Sequence, residues 1–376
     1  MKIARVFPTF QTDFKYTEHY LAKELKKEGH QTIFVTSDRY LSSWKKYLKS
    51  VNPAGVYSYE DYIVYRLKSF FPGEKAIFKE ISKCYNLIFK NSVDVIHILG
   101  IGTFTTALVL FLSKFKHGSN ARILISDHTD VRTHTREGLF ANIYYKVLRL
   151  LFNLLGGKVY KIITFSNGSV EVLSKRFGIP KNRFSVIPLG YDQDKFYLKR
   201  NNSKSNKFTI GFAGKIDPKK RIDFLLNCVN ELPFAHDVHI IIAGITSDSY
   251  SQKIRSISKK SIFSSELVPF FETEQLADFY NSIDLAVYPG GISITTIEAS
   301  ACGTPVIIFK SIEGLEERVS FGRGLLFESE DELKNAISHY YQLWKNSEID
   351  NKRISEITKE FYSWSNIKNK YLEFYG

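Results

Sequence analysis

Short apolar runs rich in valine and isoleucine alternate with amphipathic stretches along the whole chain, and this alternation limits the folds open to it. Two such runs joined by a helical stretch become parallel neighbours, and parallel strands need helices on both faces. In the first half the strand candidates are residues 3–6, 32–36, 63–66, 93–98, 122–126, 161–165 and 184–188. Residues 17–27, TEHYLAKELKK, have helical period and end at Gly29. A polar patch at 199–207, KRNNSKSNK, has linker composition. Beyond it the alternation restarts with FTIGFAG, VHIIIAG, ELVPFF, DLAVYP, PVIIF and GLLF. At 376 residues the chain exceeds what one core usually serves. The pattern therefore predicts an α/β protein of two doubly wound domains, one over 1–197 and one over 206–355. An aromatic helix over 356–376 is expected to pack back on the first, with Trp364 as a core anchor.

Apolar content of 44% and charged content of 24% are those of a globular chain, and no apolar run is long enough to predict a membrane span. The start, MKIARVF, is too short and polar for a signal peptide. Cys84, Cys228 and Cys302 show no paired spacing, which argues against a disulfide framework or zinc site and favours a reducing cytoplasm. The net charge of +13 calls for an anionic partner. Its lysines are dispersed, without a nucleic-acid-binding motif, so an anionic membrane surface with a lipid-linked substrate is the more economical expectation than nucleic acid. Peripheral contact with the inner face of the membrane would come from WKKYLK at 44–49. The apolar stretch 141–155, carrying Lys146 and Arg149, is an alternative contact, though such a helix is more often a buried wall.

The most informative stretch is YPGGISITTIEASACGTPVI, residues 288–307. It reads as a strand end, a Pro-Gly-Gly turn, a helix carrying Glu298, and a second strand after Gly303-Thr304-Pro305. Small residues let backbone amides approach a phosphate, and a carboxylate one or two helical turns on can accept from sugar hydroxyls. Together they describe a pocket for a nucleoside diphosphate. Earlier, Gly214-Lys215 closes the strand FTIGFA, and Lys220 follows five residues later in DPKKR. Two fixed cations suit a diphosphate leaving group, whose charge develops as a glycosidic bond breaks. The simpler account of Lys219, Lys220 and Arg221 is a solvated surface cluster.

These residues resemble retaining glycosyltransferase family 4, with the GT-B fold of two Rossmann-like domains facing across a cleft. GFAGKIDPKKRIDFLL is similar to the family's G-R-L-x-x-x-K-G segment, with Lys215 in the arginine position and Lys220 in the lysine position. FSVIPLGYDQDKF, KIITFSNGSVEVL, TEQLADFYNSIDLAVYP and IEASACGTPVI resemble four further segments, in the family's order. The resemblance implies His128, Lys215 and Lys220 as catalytic residues. It implies a donor site of Gly214, Gly290, Gly291, Ile292, Ser293, Ile294, Thr295 and Glu298, with Glu298 on the ribose. His128, after the strand RILISD, would sit beside the donor sugar. Thr9, Gln11, His97, Arg132 and His134 are acceptor-side candidates, His97 having a second reading as a core or supporting residue. Thr295 and Thr296 have a second reading as helix caps. No cofactor or metal is implied: the Asp192-x-Asp194 triplet falls in the hinge segment and reads as structural. The donor expected is a nucleotide sugar, UDP-linked rather than GDP-linked on base rate alone, and the acceptor a glycan or lipid-linked glycan.

Two departures stand out. The family usually carries a glutamate eight positions before the one matching Glu298, and here that position is Gly290. The loop after the first strand, PTFQTDFK, lacks the glycines common there. Glu18 and His19, next in the chain, read as surface or helix-start residues. The function expected is sugar transfer in cell-surface polysaccharide or glycoconjugate synthesis. The alternative is a non-catalytic nucleotide-sugar-binding partner of an active transferase.

Overall fold

The computed structural model describes residues 1–12, 17–40, 53–115, 120–127, 138–199, 206–291, 293–311 and 315–376. The chain folds as two compact units, Met1–Leu189 with Ile367–Gly376, and Gly190–Asn366.

The first unit contains strands β1 (Lys2–Val6), β2 (Gln31–Ser37), β3 (Gly55–Ser58), β4 (Ile63–Leu67), β5 (Ser69–Phe70), β6 (Ile77–Phe78), β7 (Val95–Leu99), β8 (Arg122–Asp127), β9 (Val159–Thr164) and β10 (Phe184–Val186). Its helices are α1 (Thr17–Lys27), α2 (Ile81–Tyr85), α3 (Phe104–Leu112), α4 (Leu139–Leu155) and α5 (Asn167–Phe177). Eight strands form one sheet in the order β10-β9-β8-β7-β1-β2-β4-β3, and β5 pairs with β6 apart from it. Every pairing in the large sheet is parallel except β3 with β4. The seven strands expected in this half are all present, at slightly different bounds. The short β3, β5 and β6 were not anticipated: β5 and β6 have two residues each, and β3 is a half-exposed edge without an apolar run.

Central β1 is covered on both faces, with Ile3, Ala4 and Val6 fully buried. Its one charged interior residue, Arg5, is buried too, and Glu18 of α1 lies 3.9 Å from the guanidinium. Glu18 and His19 stand in the first turn of α1, their helix-start reading, but Glu18 is a buried counter-charge rather than a surface residue. His19 shares a hydrogen bond with the Tyr62 hydroxyl through Nδ1 and is half-buried.

The second unit holds β11 (Phe208–Ala213), β12 (Val238–Ala243), β13 (Ser264–Val268), β14 (Leu285–Tyr288), β15 (Val306–Phe309) and β16 (Gly324–Phe327). With them are α6 (Ile222–Asn230), α7 (Ser249–Lys260), α8 (Thr273–Ser282), α9 (Thr295–Ala301), α10 (Glu316–Val319), α11 (Glu330–Asn346) and α12 (Asn351–Tyr362). The six-stranded sheet runs β13-β12-β11-β14-β15-β16, parallel throughout. All six strands anticipated for this half are found.

The division falls at Leu189/Gly190, inside PLGYDQDKF and ahead of the polar patch. The reason is packing: Tyr191 and Phe196 are buried in the second core, and Tyr191 N donates to Tyr362 O at 3.0 Å. Trp364 is the expected anchor, buried with its indole against Gly190. The terminal helical segment is divided rather than whole. Helix α12 stays in the second unit, where Ser355 Oγ donates to Ala301 O at 2.6 Å and Asn351 Nδ2 to Gly303 O at 2.8 Å. The last helix, α13 (Trp364–Tyr375), belongs to the first unit from Ile367 onward. There Arg122 Nη1 donates to Phe374 O at 3.0 Å, and Lys368 pairs with Glu28.

In that closure the buried His97 Nδ1 and the Tyr375 hydroxyl are 2.7 Å apart. Removing one buried hydrogen bond typically costs about 1 kcal/mol. Tyr375→Phe should lower the stability of the first unit by about that amount in urea titrations, with the denaturant slope unchanged.

Candidate functional site

In the second unit the chain lays down β11, β12 and β13 in one direction, then returns to place β14 on the other side of β11. Loops leaving β11 and β14 therefore diverge, and the crevice at these strand ends is where such sheets hold ligands. The β11 loop carries Gly214 and Lys215, then a 3-10 turn, Pro218–Lys220. Asp217 caps that turn by accepting from Lys219 N at 3.0 Å. Lys215 is exposed, 3.8 Å from the Asp217 carboxylate, whereas Lys220 is half-buried. Arg221 lies over the rings of Phe224 and Phe309, at 4.2 and 4.8 Å. The basic run is thus not uniformly solvated: Lys219 is outside, Lys220 partly inside, and Arg221 packed.

The β14 loop is Pro289-Gly290-Gly291, ahead of α9. At Gly290 a Cβ would lie 2.4 Å from Lys219 O and 2.6 Å from Lys220 Cα, so the two loops meet backbone on backbone. A side chain of any size at 290 would displace the lysine turn. The residue that stands where the family's first glutamate was expected is therefore a close-approach glycine. Beyond it Ser293 O accepts from Thr296 Oγ1 at 2.8 Å, while Ile294 is exposed. Neither Thr295 nor Thr296 caps α9; the N-cap position is Ile294, with no side-chain cap. The Thr295 hydroxyl is buried beside the hydroxyls of Tyr280 and Tyr288.

Glu298 lies in the first turn of α9, half-buried, above the fully buried Tyr280 and Tyr288, whose hydroxyls are 3.4 Å apart. Burial, and secondarily the charge of Asp192, push its carboxyl up to about 7. Asp192 itself closes a turn, its carboxylate accepting from Asp194 N at 3.2 Å and its carbonyl from Phe196 N at 2.9 Å. The triplet is structural in geometry, yet it also sets the electrostatics of Glu298. Sequence inspection did not find that link, because nothing local ties positions 192 and 298. Among the described residues no group of three or more metal-ligating side chains occurs.

In the first unit, Thr9 and Gln11 are buried in the segment after β1. Fully buried Arg66 of β4 pins this glycine-free segment, donating from Nη2 to Phe10 O at 2.7 Å. Ser37 Oγ donates to Pro8 O. His97 is placed in the closure with Tyr375, which is its supporting rather than its acceptor-facing reading. A buried acid unnoticed in the sequence, Asp127, ends β8 and accepts from Ile101 N at 2.8 Å, tying the loop after β7 to the end of β8. His128, Arg132, His134, Ile292 and the stretch 44–49 lie outside the described residues.

The second sheet, read in its own order as 3-2-1-4-5-6 with glycine-containing loops at the switch point, makes this unit a Rossmann-like domain. Comparison with known proteins narrows the class. The model for glycosyl transferases group 1 matches residues 193–361, and that for glycosyltransferase family 4 matches residues 18–195. The chain belongs to this family, whose fold is GT-B. A D-inositol 3-phosphate glycosyltransferase of Mycolicibacterium smegmatis is 29% identical over 189 residues, 46% of this chain and 42% of the relative. An uncharacterised glycosyltransferase of Methanocaldococcus jannaschii is 24% identical over 237 residues, 57% of this chain and 59% of the relative. The chain thus spans about half the length of the curated relatives it matches. Among solved structures, HepE of Anabaena in complex with UDP superimposes with a TM-score of 0.71 at 16% identity, covering 99% of both chains.

The raised Glu298 carboxyl carries a stability consequence. Folded, it holds a proton to about pH 7; unfolded, it releases it near the ordinary 4.5. The folded state binds more protons between these values, so this group's contribution falls as pH rises through that window. Glu298→Gln should be about 1–3 kcal/mol more stable than the parent at pH 8, with the difference vanishing near pH 4 in denaturant titrations.

Proposed function

We propose that the protein is a retaining, metal-independent glycosyltransferase that moves a hexose-type sugar from a nucleoside-diphosphate donor to a glycan or lipid-linked acceptor. The observation that carries this reading is the contact between the Lys219–Lys220 turn and Gly290 at the switch point of the second sheet. It brings the Lys220 backbone against a loop of small residues, and Lys215 stands earlier on the same segment; two such cations would suit a departing diphosphate. Cations held on a packed turn stabilise developing charge without reorganising as it forms. In this mechanism the bond from anomeric carbon to phosphate oxygen lengthens first, Lys215 and Lys220 taking up the charge of the departing diphosphate. The acceptor hydroxyl attacks the same face of an oxocarbenium-like sugar, and its proton passes to the leaving phosphate oxygen.

Glu298 accepts from the ribose hydroxyls, most strongly when it is ionised. The buried Thr295 hydroxyl is a further donor to phosphate or sugar oxygen. His128 is assigned to the sugar by the family resemblance. HepE was solved with UDP and with UDP-glucose, which supports placing UDP-sugars first among candidate donors. A biosynthetic role in surface polysaccharide or glycoconjugate is the setting that fits this chemistry.

The packing of Gly290 also weighs against the reading as a non-catalytic binding partner. A lost glutamate would leave a gap, whereas this glycine is filled by the facing loop.

The test is nucleotide release by the purified chain with UDP-, GDP-, ADP- and TDP-sugars and an acceptor panel. Lys220→Ala should lower kcat/KM by about 10²–10³-fold, and Glu298→Ala should chiefly raise the donor KM. Full activity in both variants would sink the site assignment, and tight nucleotide binding without turnover would favour the binding partner. Gly290→Glu, which restores the residue usual in the family, should reduce turnover because it displaces Lys220; a gain would contradict the packing argument.

A further inference from the structure

Helix α4 buries only part of its apolar surface. Leu148 and Phe152 face the core of the first unit, and Tyr144, Tyr145, Leu151 and Leu155 pack against it. On the opposite side Leu139, Phe140, Ile143, Val147, Leu150 and Leu154 stand in solvent, Phe140 at 88%, Leu139 at 72%, Leu154 at 63% and Leu150 at 60% exposed. At 3.6 residues per turn these six fall within an arc of roughly 100°. Spacings of three and four residues make it one continuous stripe. Lys158 Nζ, just past the helix, donates to Ser113 O at 3.0 Å, and beyond that link α3 ends in two more exposed rings, Phe111 and Phe115. Monomeric proteins rarely leave so contiguous an apolar surface without a partner for it.

Charge distinguishes the partners. Residues 139–158 contain no aspartate or glutamate, exposed Lys146 borders the stripe, and the Arg149 guanidinium lies against Gly178 at the end of α5. Arg176 of the neighbouring α5 lies over the Tyr145 ring at 4.1 Å, and Glu171 of the same helix is already paired with Lys181. A second copy of the chain packed two-fold on this stripe would bring these cations against their own kind, in a protein of net charge +13. Anionic headgroups complement them instead. The helix does not cross a membrane, because 17 residues span about 26 Å and its inner face belongs to the core.

We propose that helix α4 is an in-plane docking surface for an anionic lipid bilayer, its six exposed apolar side chains entering the headgroup boundary and Lys146 meeting the phosphates. The surface is formed wholly within the first unit and does not depend on the transfer reaction, so its test uses no activity.

The experiment is flotation of the full chain with vesicles of phosphatidylcholine alone or with phosphatidylglycerol, at low and high salt, alongside sedimentation velocity without lipid. The parent should float with the anionic vesicles only, and less at high salt. Leu150→Asp with Leu154→Asp should weaken that binding by about tenfold or more. Lys146→Glu should weaken it severalfold, and the thermal midpoint should be unchanged in each variant because these side chains are exposed. Equal flotation of parent and the double Asp variant would overturn the proposal. So would a parent that ignores anionic vesicles yet sediments as a dimer that the double variant dissociates, which would assign the stripe to a second copy.

Discussion

The candidate donor site depends on backbone meeting backbone at the ends of parallel strands. Gly290 brings the β14 loop against the carbonyl of Lys219, and Gly244, after β12, does the same against the carbonyl of Gly214, where a Cβ would lie 1.9 Å away. Both contacts exclude side chains, and together they hold the segment carrying Lys215 and Lys220 from two sides. Position 290 is where the chain departs from the family motif, and the facing backbone fills the place. A carboxylate and a close backbone approach cannot occupy one place, and this chain has the approach.

The first unit solves a related problem by burying charge. Arg5 and Arg66 are among the largest fully buried side chains, on strands β1 and β4. A buried guanidinium is costly unless its hydrogens are used, and Arg66 directs them to the carbonyls of Ser37 and Phe10. The segment after β1 is thereby fixed without the glycines that relatives often carry there. The tie at Phe10 comes from a side chain of β4 rather than from small residues within the segment.

The longer strands were legible in the sequence because a run of β-branched residues buried on both faces has no competing interpretation. The domain division was less so. The polar patch at 199–207 has the composition of a linker, yet Tyr191 and Phe196 just before it are anchors of the second core, and a boundary follows packing rather than polarity. The chemistry of the site was half legible. Lys215, Lys220, Gly290 and Glu298 were visible as residue types at suggestive spacing. That Gly290 is filled by the Lys219–Lys220 backbone, and that burial, with the Asp192 charge second, raises Glu298, are facts of tertiary proximity with no local trace. Helix α4 was legible as apolar but not as two-sided. A helix apolar over most of its circumference carries no sign of which arc meets the core.

This resolves the meaning of the positive charge. A net +13 spread evenly would say little beyond solubility. In the structure, part of it is spent internally: Arg5 on Glu18, Arg66 on carbonyls, Arg221 on two aromatic rings, and Lys334 on Glu231 and Glu330. What stays outward includes two local groups of different character. One, at Lys215 and Lys219, stands on the loop after β11, whose turn is packed against Gly290, a setting for a compact polyanion. The other, at Lys146, edges an apolar stripe, a setting for anions displayed on an apolar phase. Charge alone would not separate a diphosphate from a headgroup layer. The neighbours do, because the lysine turn packs backbone on backbone against a glycine loop, whereas α4 presents exposed leucine and phenylalanine side chains.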